Sequence, residues 1–494
     1  MGRLVVVSNR VAPITEGEPT AGGLAAGVMD ALREKGGIWF GWSGETAAVP
    51  GPPRERRVGA ITVHTIDLTG KDLDDYYNGF ANSTLWPILH YQPNHAAYDA
   101  GEFAAYLRVN AQFADALAEL IEPDDLVWCH DYHLFGLADA LRARGLENRI
   151  GLFLHTPLPS PQVLMTIPAH RELMRAVCGY DLVGFQTRID RQAFLDYLVQ
   201  YGGGRAGARG EVSAFNRVVQ TGVYPIGVDV GEIQAQAATP VDGRQAARLA
   251  ASLGDGKLAI GVDRLDYSKG LRERFISFER LLERYPHRRS HTTLLQIAPP
   301  SRTDIQTYRL LRSELEGEAG RINGRFAELD WVPMRYLNKG FPRSVLMPLY
   351  RMAQVGLVTP LRDGMNLVAK EYVAAQDAAD PGVLVLSQFA GAAEELQDAL
   401  LVNPFDQAAV AAALDRALDM PRDERRARHA GMIRVLRRNN LRRWRDRFTT
   451  DLSGERSHQQ ADDRAAAAGR ERARQHRAQP QRHDFLAPLG HHGA

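Results

Sequence analysis

Val355-Gly-Leu-Val-Thr-Pro-Leu-Arg-Asp-Gly-Met-Asn-Leu-Val-Ala-Lys-Glu371 reads as a strand, a polar turn and the start of a helix. Val355 to Thr359 is an apolar, β-branched run of the length expected for a buried parallel strand. Pro360 ends it. Arg362-Asp363-Gly364 makes the turn, where Gly364 is free to adopt φ > 0 or to let a ligand approach the backbone. From Met365 the apolar positions Leu367, Val368 and Tyr372 predict a helix whose N-terminus lies at the turn. Such a junction leaves unpaired N–H groups and partial positive charge facing the loop, a good place for phosphate oxygens. Glu371, about two turns in, can reach a pair of adjacent hydroxyls, as on a ribose. Taken alone, an Asp-Gly here is an ordinary βα turn. Its surroundings decide otherwise.

With 494 residues the chain is too long for one core, and its length suggests two or three domains. Hydrophobic content of 45% and charged content of 24% are those of a globular protein in water. A net charge of +1 gives no electrostatic case for nucleic acid or an anionic membrane. Two cysteines, Cys129 and Cys178, both in apolar runs, point to the cytoplasm rather than a disulfide framework. Met1-Gly-Arg-Leu runs directly into a strand, so no signal peptide is expected, and no apolar run is long enough for a bilayer.

Leu4-Val-Val-Val-Ser8 predicts the first strand of a parallel sheet, delivering Asn9 and Arg10 to its carboxyl end, where open α/β sheets bind ligands. Ala21-Gly22-Gly23-Leu24 follows, with Leu24, Val28 and Leu32 continuing as an amphipathic helix. The glycines lack the Gly-x-Gly-x-x-Gly spacing, which disfavours a dinucleotide-dependent dehydrogenase but leaves a phosphate or sugar lining open. Gly36 to Gly44 carries Trp39 and Trp42 in a strand and turn. Tyr76, Tyr77 and Trp86 alternate with polar residues and prolines, which suits the wall of a sugar pocket better than a core. Asp72-Leu73-Asp74 has the Asp-x-Asp spelling of a metal site but no preceding strand, and reads as surface charge. Leu126-Val-Trp-Cys ends in His130-Asp131-Tyr132-His133, and Ile150-Gly-Leu-Phe-Leu ends in His155. The histidines lack further ligands at zinc spacing, so no metal is expected. Leu182 to Gln186 and Val218 to Pro225 complete the sheet.

A second strand-and-helix series starts at Leu258-Ala-Ile-Gly-Val-Asp263, and a domain boundary falls near residue 231. Arg264 and Lys269 leave that strand's end together around a glycine-closed loop, which fits a diphosphate clamp. Leu295-Gln-Ile-Ala delivers Arg302, and Val383 to Ser387 and Leu401 to Pro404 are further strands. Ala408 to Met420 and Ala427 to Phe448 predict amphipathic helices. Residues 455–494 are rich in Arg, Ala, Gln and His and are expected to be disordered.

Two α/β units whose strand ends face a shared cleft look like the GT-B glycosyltransferase architecture, two Rossmann-like parallel-sheet domains. The strings Arg3-Leu-Val-Val-Val-Ser-Asn-Arg10, Trp39-Phe-Gly-Trp-Ser-Gly44, His130-Asp-Tyr-His133, Asp263-Arg-Leu-Asp-Tyr-Ser-Lys-Gly270 and Arg362-Asp-Gly-Met-Asn-Leu-Val-Ala-Lys-Glu371 resemble the bacterial-type trehalose-6-phosphate synthases of glycosyltransferase family 20, in order and spacing, from residue 3 to about 452. The resemblance implies an acceptor domain over 1–230, a nucleotide-sugar domain over 231–435, a helix over 436–454 returning to the first domain, and a tail outside the match. It implies retaining transfer of glucose from a nucleotide-glucose, usually UDP-glucose, to glucose 6-phosphate, with no cofactor, and often a dimer or tetramer.

By the same resemblance Arg264 and Lys269 hold the donor diphosphate together with the N–H groups of Leu367 and Val368. Glu371 takes the ribose, Gly22 and Gly23 close over the donor, and Phe341 lies near the base. Asp363, Gly364, Met365 and Asn366 line the donor glucose, with His155 at its 6-hydroxyl, and the donor string runs on through Ala369 and Lys370. Arg10, Tyr77 and Arg302 bind the acceptor phosphate; Trp86 and Asp131 meet its sugar. Retention by double displacement would need a carboxylate nucleophile, and the resemblance assigns none. It implies attack from the leaving-group face, with Asp131, His155, Arg264 and Lys269 as the reacting-centre set. A sibling enzyme with another acceptor, or a silent sugar-phosphate sensor, are the alternatives; the sensor would be expected to have lost part of the donor clamp.

Overall fold

In a computed structural model, residues 2–13, 29, 32, 36–207, 210–239, 244–302 and 305–454 are described. Gly22, Gly23 and the tail 455–494 lie outside the described residues. In chain order the first ten strands are β1 (Leu4–Arg10), β2 (Gly37–Thr46), β3 (Arg54–Val58), β4 (Ile61–Leu68), β5 (Leu126–His130), β6 (Ile150–Phe153), β7 (Leu182–Phe185), β8 (Arg205–Ala206), β9 (Glu211–Ala214) and β10 (Arg217–Val223). They form one sheet in the order β3-β4-β2-β1-β5-β6-β7-β10-β9-β8. From β4 to β10 the pairings are parallel, and β3, β9 and β8 add antiparallel edges. Six later strands, β11 (Lys257–Val262), β12 (Thr292–Ile297), β13 (Met334–Leu337), β14 (Val355–Val358), β15 (Val383–Ser387) and β16 (Leu400–Val402), make a second, wholly parallel sheet ordered β13-β12-β11-β14-β15-β16.

Central strands buried on both faces need apolar residues at every position. Val5, Val6 and Val7 of β1 and the whole of β14 are buried accordingly. Among the parallel strands of each sheet the order reverses once, between β1 and β5 in the first and between β11 and β14 in the second. A crevice opens at the carboxyl ends of the strands at such a switch point. Arg10 and Asp131 stand at the first, and the Arg264–Lys269 and Asp363–Asn366 loops at the second.

The β3–β4 hairpin and the strands β8, β9 and β13 were not expected. Four of the five β3 residues, Arg54 to Arg57, are exposed at the sheet edge, where charges discourage further pairing and also hide the strand from a hydrophobicity reading. The single helix expected over 427–448 is two, Arg422–Arg438 and Leu441–Ser453, because Asn440 turns extended and caps the second by accepting from Arg443 N–H. That second helix lies on the first sheet: Trp128 sits 4.9 Å from both Trp444 and Phe448. Tyr76 belongs to the core rather than to a pocket wall, fully buried with its hydroxyl donating to Asn9 Oδ1 at 2.7 Å. Asp72 is likewise not surface charge. It is buried, accepts from Thr69 Oγ1 and pairs with Arg108, while Asp74 is exposed. Cys129 and Cys178 are both buried, and burial pushes each thiol up to about 12.

Candidate active site

The side expected to take the donor is built on the β14 loop. Asn366, at φ +75°, is the N-cap of the helix Leu367–Ala375, its Oδ1 accepting from Ala369 N–H at 3.1 Å. The helix begins two residues later than expected, so Glu371 is little more than one turn in, and it is Asn366 rather than Gly364 that takes positive φ. Gly364 is required for close approach: a Cβ there would overlap the carbonyl oxygen of His155 from the other sheet. With Ala369 capped, the N–H groups of Leu367 and Val368 remain at the helix mouth.

Asn366 Nδ2 donates to Asp363 Oδ2 at 3.0 Å, and Lys269 Nζ donates to the same oxygen at 2.6 Å. Burial would raise the Asp363 pKa, but the Lys269 charge and these hydrogen bonds overcome it and hold the carboxyl below its usual range. Lys269 ends the turn Tyr267–Lys269, closed by Gly270 at φ +62°. Arg274 braces that turn from below. Fully buried, its guanidinium donates to Asp263 Oδ2 (2.7 Å), Gln296 Oε1 (2.9 Å), Thr359 Oγ1 (3.0 Å) and the Lys269 carbonyl (3.3 Å). One side chain thus ties together the ends of β11, β12 and β14. Arg264 is exposed, its guanidinium 5.5 Å from the Trp86 ring.

Glu371 accepts from Arg343 Nη2 at 3.1 Å; burial raises its pKa, with Arg343 opposing. Phe341 is half-buried beneath Lys339. Met365 and Ala369 are buried in the core of this half. Lys370 faces away from the mouth, with its ammonium fully buried against the Ile226 carbonyl (2.6 Å) and Glu395.

The side expected to take the acceptor rests on an unusual element, a π-helix over Leu73–Leu85 whose i→i+5 bonding persists to Trp86. In an α-helix, Tyr77 and Trp86, nine positions apart, would point ~180° from each other at ~100° per residue. A π-helix, with about 4.4 residues per turn, brings them within ~20°. Both face the cleft for that reason. A continuous arc of rings and cations then runs across it. Arg10 stands 5.6 Å from Trp42, Trp42 5.8 Å from Tyr77, Tyr77 5.7 Å from His133 and His133 4.0 Å from Tyr132. Tyr132 is 5.7 Å from Trp86, and the Arg302 guanidinium lies 3.9 Å from the Trp86 ring. The structure therefore joins Arg10, Tyr77 and Trp86 on one wall to Arg302 from the other half by a single chain of ring and cation contacts.

Arg302, in the second half of the chain, donates across the cleft to Tyr132 Oη (3.2 Å) and within its own half to Tyr308 Oη (2.6 Å) and Asp266 Oδ2 (3.3 Å). Burial alone would lower its pKa; the two phenols and the carboxylate hold it above its ordinary value.

Between the two sides lie Asp131 and His155. Asp131 sits at φ +73°, accepting from His155 N–H at 3.2 Å. Burial pushes its carboxyl up to about 6 against the pull of backbone N–H groups and Arg264. Burial lowers His155 to about 3, and its Nε2 meets His130 Nδ1 at 3.1 Å. His155 is neutral near pH 7, suited to a hydrogen bond with a hydroxyl and unsuited to delivering a proton.

Neither pattern nor resemblance assigned a role to Arg274, Asp266, Tyr308 or Tyr132. Arg274 leaves a trace in the sequence: it falls on the apolar stripe Leu271, Phe275, Phe278 and Leu282 of a helix, where a charge demands a buried partner. The others become visible only when the two halves meet.

The profile of glycosyltransferase family 20 matches residues 5–454. A trehalose-6-phosphate synthase of Enterobacter sp. (strain 638) is 52% identical over 454 residues, covering 92% of this chain and 95% of the relative. A crystal structure of a UDP-forming α,α-trehalose-phosphate synthase from Burkholderia xenovorans, in complex with glucose-6-phosphate, superposes with a TM-score of 0.88 at 54% identity, covering 91% of this chain and 100% of that one. An E. coli structure bound with UDP-2-fluoro glucose gives a TM-score of 0.88 at 50% identity, covering 91% and 99%.

Proposed function

Because the chain belongs to glycosyltransferase family 20 and has the GT-B fold, we propose that it is a UDP-forming α,α-trehalose-phosphate synthase. It moves glucose from UDP-glucose to the anomeric hydroxyl of glucose 6-phosphate with retention, giving α,α-trehalose 6-phosphate and UDP. One observation carries the reading. A cationic helix mouth at the switch point of the second sheet shares a cleft with an arc of rings that runs from Arg10, at the switch point of the first, to Arg302.

The donor diphosphate lies at the N–H groups of Leu367 and Val368, between Arg264 and Lys269, with Glu371 on the ribose, Phe341 near the base and Gly22 and Gly23 closing over it. As the glycosidic bond breaks, charge develops on the departing phosphate oxygen, where two cations and a helix terminus stabilise it without a metal ion. Asp363, Gly364, Met365 and Asn366 line the donor sugar, and the neutral His155 bonds its 6-hydroxyl. Arg10, Tyr77 and Arg302 hold the acceptor phosphate while Trp86 and Asp131 orient its sugar, so that the attacking hydroxyl enters on the face the diphosphate leaves. That departing oxygen takes the proton. The two domains 1–230 and 231–435, the return helix 436–454, a cytoplasmic setting, a homo-oligomer and a part in osmoprotection complete the proposal.

The test is turnover by purified protein with glucose 6-phosphate and UDP-, GDP- or ADP-glucose in turn, EDTA present, and the product identified by NMR. UDP-glucose should give the α,α-linked disaccharide phosphate. A strict requirement for magnesium or manganese, or a product lacking the 1,1 linkage, would count against the reading.

A further inference from the structure

Asp266 is fully buried and stands where the two halves of the site meet. Its Oδ1 accepts from Ser268 N–H (2.9 Å), Ser268 Oγ (2.8 Å) and, across the cleft, Trp86 Nε1 (3.5 Å). Its Oδ2 accepts from Arg302 Nη1 (3.3 Å) and from Tyr308 Oη (3.1 Å), which itself accepts from Arg302 at 2.6 Å. The two oxygens therefore do different work: Oδ1 orders the Lys269 turn and the Trp86 indole, and Oδ2 orders the guanidinium of Arg302.

We propose that Asp266 is a positioning residue for the acceptor, holding Arg302 against Trp86 so that the phosphate-binding cation and the sugar-stacking ring stand ready before glucose 6-phosphate arrives. The inference rests on the functional reading above. Two effects of this carboxylate oppose one another. Its charge lies near the incoming phosphate and, taken alone, weakens anion binding. Its bonds freeze a long side chain that otherwise loses rotamer freedom on binding, and preorganisation of that kind strengthens it. Geometry says which prevails. Of the Arg302 donors, Nη1 faces Asp266 and Tyr308 and Nη2 faces Tyr132, while Cζ lies 3.9 Å from the Trp86 ring centroid. Without Oδ2 the guanidinium keeps the Tyr308 and Tyr132 hydroxyls but loses its one charged acceptor, and Tyr308 loses the oxygen that orients its hydroxyl.

Asp266→Asn is the discriminating variant. Its Oδ1 still serves Ser268 and Trp86, and only the oxygen facing Arg302 becomes an N–H group. The KM for glucose 6-phosphate should rise about 10- to 100-fold, the range for a lost hydrogen bond to a charged group. The KM for UDP-glucose and the dissociation constant for UDP should stay within about 2-fold, because the donor contacts are not touched. Tyr308→Phe, a milder change, should raise the acceptor KM by about 3- to 10-fold. On an Arg302→Ala background Asp266→Asn should add less than about 2-fold, since residues acting through one another do not add.

An acceptor KM that is unchanged or lowered in Asp266→Asn overturns the inference, as does an equal loss on the donor side or full additivity with Arg302→Ala. If Asp266→Asn does not fold, Tyr308→Phe decides alone, and a flat acceptor KM there is equally fatal. Wild-type protein that makes no product from UDP-glucose and glucose 6-phosphate instead removes the functional reading itself.

Discussion

Arg264 and Lys269 should separate catalysis from stability when each is replaced by alanine. Arg264 is exposed, and among the described residues no carboxylate pairs with it. Removing it breaks no ion pair and withdraws only a longer-range charge from Asp131 and Asp266. Lys269 is 8% exposed and its Nζ lies 2.6 Å from Asp363 Oδ2, so its loss leaves a buried carboxylate without its cation. If both cations act on the charge developing in the transition state, each alanine variant should lose about 10²–10³ in kcat, the effect of one preorganised donor worth ~3–4 kcal/mol. Only Lys269→Ala should also lose stability, by about 3–5 kcal/mol as for a broken buried pair; Arg264→Ala should stay within about 0.5 kcal/mol.

The pH dependence follows with its sign. In the wild type the Asp363 pKa is depressed, so it contributes stability above its unfolded value, ~3.9, that is lost as pH falls below that. In Lys269→Ala, burial is opposed far less and the folded pKa rises above the unfolded one. Asp363 then destabilises the variant at neutral pH, and the deficit shrinks as the solution is acidified and the carboxyl protonates. Rates of UDP release by a coupled assay, with thermal unfolding at pH 7.5 and 5, test both halves. Unchanged kcat with a raised donor KM would make the cations ground-state binders, and a stability gap between wild type and Lys269→Ala that does not depend on pH would refute the pairing argument.

Three further outcomes are expected. Arg274→Ala removes a guanidinium with four acceptors and should destabilise the protein by about 3–5 kcal/mol in chemical denaturation; a change under ~1 kcal/mol contradicts its role as the brace. Deleting Asn78 shortens the π-helix by one position and should rotate Tyr77 out of line with Trp86, raising the KM for glucose 6-phosphate at least ~30-fold while UDP affinity, read by calorimetry, holds. Asp131, pushed up to about 6, should give kcat/KM for the acceptor a limb near pH 6 that Asp131→Asn lacks and that therefore survives in the ratio of the two profiles, where the titration of the substrate phosphate cancels.

What the sequence disclosed, and what it withheld, follows from the range of the interactions involved. Central parallel strands are buried on both faces, so β1, β5, β6, β11, β14 and β15 stand out as apolar runs, and the residues following them are the loop residues of the site. Edge strands carry no such run: β3 is Arg-Glu-Arg-Arg-Val, and its pairing with β4 depends on contacts no local pattern announces. Asp363 and Asn366 were legible as loop residues, but the reason for Gly364 was not. It lies in the His155 carbonyl of the other sheet, 209 positions away in sequence by simple subtraction. Expecting an ordinary helix over Leu73–Leu85 would have put Tyr77 and Trp86 on opposite faces; only the wider winding explains how both reach one wall.

The pairing of the site cations bears on how an empty cleft can be stable at all. Lys269 and Arg302 are both largely buried, and each is held by a carboxylate of its own half, Asp363 and Asp266. A buried cation without a counter-charge costs several kcal/mol, so a site built only to receive anions would be strained until they came. With the carboxylates in place the two buried cations are neutralised, and the rigidity these pairs impose is retained when substrates enter. The cost is a weaker net pull on each phosphate, which bidentate geometry and helix N–H groups must offset. Arg264 and Arg10 are the exceptions: both are exposed, near Trp86 and Trp42, and neither has a carboxylate partner among the described residues. The full loss of kcat in Arg264→Ala, without loss of stability, is therefore the sharpest single expectation of a site whose buried cations are already matched.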